Sequence, residues 1–79
     1  MTTRVQEQFD DAQGVTPSDT TELKYVRGLY IGGAGNVAVT TDSGNVVTFS
    51  SVTAGTILKI GVKKVMATNT TATNIVALI

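Results

Sequence analysis

The residues able to do chemistry in this 79-residue chain are few and scattered. Cys, His and Trp are all absent. That removes the side chains that supply most nucleophiles, general bases and transition-metal ligands. Six carboxylates remain: Glu7, Asp10, Asp11, Asp19, Glu22 and Asp42. Asp10 and Asp11 are paired, but they sit in a polar N-terminal segment that cannot hold them at the defined separation carboxylate catalysis requires. Asp19 follows Pro17-Ser18 and suits a turn closed by side-chain hydrogen bonds. Asp42 opens a loop of the form Asp-Ser-Gly-Asn. No acidic cluster fits calcium, and zinc lacks its usual ligands. Gly32-Gly33-Ala34-Gly35 is only superficially a phosphate cradle, because it leads into the strand-like Asn36-Val37-Ala38-Val39 and not into a helix. The chain therefore reads as a non-enzyme with no catalytic, cofactor-binding or metal-binding residues.

Other residue groups have binding readings set against plain structural ones. Lys59, Lys63 and Lys64 form a basic patch on one expected strand, with Lys59 and Lys63 on the same face by period-two alternation. The patch could dock on an acidic surface, or it could protect an edge strand from pairing. Fourteen threonines are ordinary β-formers in the absence of a flat repeating ladder or an aromatic platform. Tyr25 and Tyr30 could stack on a sugar, but core or interface packing suits amphipathic aromatics better.

The elements that must position these residues are all strands. Val, Thr, Ile, Ala and Gly dominate residues 22–79. Five strands are expected, over Leu23–Ile31, Val37–Thr41, Val46–Val52, Ile57–Ala67 and Asn74–Ile79. Gly32–Asn36 is expected to be a hairpin connection, and Asp42–Asn45 a hairpin loop with Gly44 in the left-handed region. The apolar alternation of the fourth strand slips at Lys63-Lys64, and a bulge there restores the phase. The last strand is apolar on both faces, with Ile75, Ala77 and Ile79 on one and Val76 and Leu78 on the other. An antiparallel strand of that kind should be covered twice, by its own core and by a neighbour. The expected fold is all-β, a small antiparallel β-sandwich or barrel, jelly-roll-like, spanning 22–79. Residues 1–21 are expected to be a flexible acidic N-terminal arm anchored by Phe9.

Size points to assembly. A chain this short buries only about 60% of the surface its unfolded form exposes, and such domains usually need a staple. Disulfides and zinc being excluded, self-association remains. Formal net charge is zero, but residues 1–22 carry five acids against one base and residues 23–79 five bases against one acid. An acidic arm on a basic body suits an arm lying on its own or a neighbouring body. The body is too weakly basic for a nucleic-acid binder. No window approaches the ~18 apolar residues of a membrane span, so no membrane partner is expected.

Four blocks carry a resemblance: Val15–Thr20, Arg27–Val39, Val47–Thr56 and Val65–Leu78. Their order and spacing resemble the small head-spike-base proteins of tailed phages and gene transfer agents, all-β virion proteins of the capsid surface. The chain departs from the family at two points: it lacks Pro in Thr53-Ala54-Gly55 and an aromatic at Ile79. The resemblance implies a virion structural protein on the outer capsid surface, forming the base of a head spike or fibre. A capsid cement protein at threefold sites is the alternative within that class, and a carbohydrate- or ligand-binding module the alternative outside it. The implied partners are further copies of itself in a cyclic trimer or pentamer, the major capsid protein, and a spike or tail-like fibre protein. The expected interface residues are Phe9, Tyr25, Tyr30, Lys59, Lys63, Lys64, Val76 and Leu78.

Overall fold

Seven strands, Ala12–Val15 (β1), Gly28–Gly33 (β2), Gly35–Thr41 (β3), Val46–Val52 (β4), Thr56–Leu58 (β5), Val62–Val65 (β6) and Thr73–Leu78 (β7), make up the computed structural model, which describes residues 9–79. They form two antiparallel sheets, one in the order β1-β7-β2-β5 and the other β4-β3-β6. The fold is an all-β sandwich. Residues 1–8 of the expected arm lie outside the described residues.

Period-two alternation builds the core. Leu29 and Ile31 of β2, Val37 and Val39 of β3, and Val62 and Val65 of β6 are fully buried, joined by Ile75 and Ala77 of β7. Burying each of the larger side chains contributes about 1.5–3 kcal/mol. β3 is the central strand of its sheet and is buried on both faces, from Val37 to Thr40. The β6–β7 connection continues the pairing along its edge, and on its outer side Thr40 Oγ1 donates to Met66 Sδ at 3.3 Å. Along that edge Met66 N and Thr70 Oγ1 meet the main chain of Ala38, and Thr71 Oγ1 accepts from Asn36 N. The threonines of this loop are structural hydrogen-bonding groups.

The loop Asp42–Asn45 joins β3 to β4 as expected, with Gly44 at φ +96° and its N–H on Thr41 O at 2.8 Å. The slip at Lys63-Lys64 is also a bulge, because Thr40 faces Lys64 while the next residue, Thr41, faces Val62. Lys63 is the extra residue, and the bulge returns Val62 and Val65 to the same core face.

Three expectations are corrected. Gly32–Asn36 is not a hairpin: β2 and β3 lie in different sheets, so the chain turns a corner there. Gly35 permits the corner, since a Cβ at that position would sit 2.6 Å from Ala72 N. Ile57–Ala67 is not one strand but two, β5 and β6, in opposite sheets and separated at Lys59-Ile60-Gly61. The first strand begins at Gly28 and not at Leu23, because Tyr25 takes φ +62° and interrupts the extended run. In addition, Ala12–Val15 lies in the sheet, pairing with Ile75–Leu78 of β7 in a four-residue register. Asp10 and Asp11 are tied to the residue that follows β7 as well: their N–H groups both donate to Ile79 O.

Candidate assembly surface

The acids do not converge. Asp10 meets Arg27 at 3.4 Å with both side chains exposed, a geometry that adds little stability. Asp11 Oδ1 accepts from Ala12 N at 2.8 Å. Asp19 accepts from the N–H groups of Ala67 and Thr68 and from Thr68 Oγ1, the last at 2.7 Å. These bonds, led by the Thr68 hydroxyl, hold its carboxyl below the usual value of 3.8. Asp19 thus closes a turn, as its sequence context suggests, and clamps the start of the β6–β7 loop. Among the described residues no group of three or more His, Cys, Asp and Glu is placed to hold a metal ion.

The notable surface is the outer face of the β1-β7-β2-β5 sheet. Alternation turns Leu29, Ile31, Ile75 and Ala77 inward, so Gly28, Tyr30, Val76 and Leu78 face outward. The register sets Tyr30 opposite both Val76 and Ile57, and Gly28 opposite Leu78. Tyr30 and Ile57 are 39% and 45% exposed, and Val76 and Leu78 are half-buried. Phe9 completes the patch. Its Cζ and Leu78 Cδ1 would lie 3.6 and 3.7 Å from a Cβ at Gly28, so both side chains close over that glycine. No charged residue belongs to the outward set on these strands.

Of the eight residues expected at an interface, the fold therefore gathers four on one face: Phe9, Tyr30, Val76 and Leu78. Tyr25 stands apart at 83% exposure, in the connection before β2. Lys59 follows β5, while Lys63 and Lys64 belong to β6 of the other sheet, so the basic patch does not lie on one strand. Sequence reasoning missed Ile57. Alternation carries the signal: Leu58 continues the apolar phase of Ile60 and Val62, which sends Ile57 the other way. Tyr25 carries a further mark. A bulky residue at positive φ costs about 1–3 kcal/mol, and such strain collects at functional positions.

No protein-family model matches the chain, and no curated protein matches it. A solved structure does. The fold is shared with a GTA capsid chain. That structure, the capsid of a native GTA (gene transfer agent) particle computed with C5 symmetry, contains a chain superposing with a TM-score of 0.82 at 29% sequence identity. The match covers 99% of this chain and 92% of the other. The match therefore extends over the strands of both sheets.

Proposed function

We propose that this chain is a virion structural protein that decorates the outer surface of a phage-like capsid as the base of a head spike or fibre. The observation that carries the reading is the full-length likeness to a chain of a GTA capsid. The uncharged outer face of the β1-β7-β2-β5 sheet supports it. An apolar patch rimmed by polar surface marks an interaction site, and Tyr30 is the type of residue that anchors one. Copies of the chain assemble through heterologous contacts whose rotation closes into a ring. The ring docks on the major capsid protein and presents a fibre, and its work is binding, without catalysis.

Cryo-electron microscopy of purified particles tests the reading. Density of this sandwich at the vertices is the expected result. Density at threefold positions makes the chain a cement protein instead. Absence from the particle overturns the virion assignment.

A further inference from the structure

A sandwich has four sheet edges, and edges with unpaired N–H and C=O groups pair with other chains unless they are blunted. Two of the four are blunted here. The β6 edge is covered by the preceding segment, since Ser18 N donates to Val65 O at 2.8 Å and Leu23 N to Lys63 O at 2.7 Å. It also carries Lys63 and Lys64. β5 is only three residues long.

β4 is different. It runs for seven residues, Val-Val-Thr-Phe-Ser-Ser-Val, with no proline and no charge. The direction of its main-chain groups follows from β3. Ala38 accepts from Met66 N and donates to Thr70 Oγ1, so its main chain faces β6. Alternation turns Val37, Val39 and Thr41 toward β4, consistent with Thr41 N donating to Asn45 O at 2.8 Å. The residues opposite Val37 and Val39 are Phe49 and Val47, which therefore face β3. Val46 and Thr48 direct their N–H and C=O groups outward along an open edge, which ends at the bulge before Val52, where Ser51 takes φ +58° and its N–H donates to Asn36 Oδ1 at 2.9 Å.

The fourth edge, β1, is the complement. Asp11 and Ile79 exchange both main-chain bonds, so Asp11, Gln13 and Val15 face β7 while Ala12 and Gly14 face out. The strand, Ala-Gln-Gly-Val, is uncharged; the Asp11 carboxylate takes the Ala12 N–H at 2.8 Å, leaving Ala12 C=O and both main-chain groups of Gly14 outward, with open space beside Gly14. The two edges lie on opposite sides of the molecule. The linker after β1 runs along the edge of β6, which puts β1 and β6 on one side. A three-residue turn, with Gly55 N on Ile31 O, joins β4 to β5 on the other.

We infer that β4 of one copy pairs through its main chain with β1 of the next copy. The two sheets fuse in the order β6-β3-β4 followed by β1-β7-β2-β5 of the neighbour. Opposite edges of one molecule cannot meet each other, so the pairing is head-to-tail, the kind that closes a ring. The inference rests on the ring assembly of the proposed function and names the contact that would build it.

The chain has no cysteine, so introduced ones report contact directly. Ala12→Cys protein would be mixed, under mild oxidation, with Val46→Cys, Thr48→Cys or Ser50→Cys protein. Paired strands bring Cα atoms within disulfide range. At least one mixture should give a disulfide-linked heterodimer by mass spectrometry, and Thr48→Cys alone should not dimerise. Thr48→Pro removes only an outward N–H. It should weaken association on the order of tenfold while circular dichroism and Tm stay unchanged. Thr48→Lys is the second variant, should proline perturb β4.

A Thr48→Cys homodimer overturns the head-to-tail pairing in favour of twofold β4–β4 contact. A ring seen by native mass spectrometry without any 12-to-β4 crosslink overturns the edge contact and leaves the ring standing. A chain found on particles that is monomeric there and in solution overturns the inference without touching the virion assignment.

Discussion

The two faces of the β1-β7-β2-β5 sheet are built from alternate residues of the same strands, yet they do different work. Leu29 and Ile31 are 0% exposed, while Tyr30 between them is 39% exposed. In β7, Ile75 and Ala77 are buried and Val76 and Leu78 are half-buried. The inner face faces a second sheet, while on the outer face Phe9 closes over Gly28 and Tyr30 and Ile57 stay exposed. Apolar character thus serves the fold on one side and leaves a surface for a partner on the other. Sequence alone assigns the alternation but cannot say which side the second sheet covers.

The comparison is broken most sharply at the inner face. Leu29→Ala should cost about 2–5 kcal/mol, because the cavity it leaves is closed on all sides. A domain of this length has a total stability of roughly 4–12 kcal/mol. Denaturant melts should therefore show a severely destabilised or unfolded chain, with assembly lost as a consequence. Tyr30→Ala should separate the two effects. Monomer stability should fall by about 1 kcal/mol or less, while association or particle attachment weakens tenfold or more. If the two quantities fall in proportion, the outer face is packing and not an interface.

Smaller effects sharpen the picture. Tyr25→Gly relieves the φ +62° backbone, and the gain of about 1 kcal/mol should raise Tm by roughly 4–8 °C. Retention of Tyr25 against that gain is intelligible if its ring meets a partner, so the same variant should be scored for particle attachment.

The smallest effect concerns Asp19. Its folded-state pKa lies below 3.8, so its contribution to stability is present above that value and lost as pH falls through the folded pKa. Asp19→Asn should lower Tm at neutral pH, and the gap to the parent chain should close in acid. A gap that persists in acid would show that the Thr68 clamp does not depend on the carboxylate charge.

Much of the fold was legible because local chemistry and tertiary structure agree. The bounds of β4, the Gly44 loop and the Lys63 bulge all follow from turn residues and period-two phase. Two of the misses share one cause, the passage of the chain between sheets. Alternation continues through Leu58, Ile60 and Val62 although β5 and β6 lie in opposite sheets, so the pattern contains no break to read. Gly32–Asn36 has the composition of a hairpin but serves as a corner. β1 has one large apolar residue, Val15, and owes its strand to pairing with β7, which no local signal reports. At the candidate surface, residue types were legible and neighbourhood was not. The lysines shared a strand in sequence and not in space.

The placement of β7 has a mechanical consequence. Its C-terminal end, Leu78, leads directly to Ile79, whose carbonyl accepts from Asp10 and Asp11. β7 is flanked by β1 and β2 and antiparallel to both. A pull applied at the C-terminus along the strand would be shared by two ladders of hydrogen bonds in shear, which must yield together. The same pull on an edge strand such as β4 would meet a single ladder.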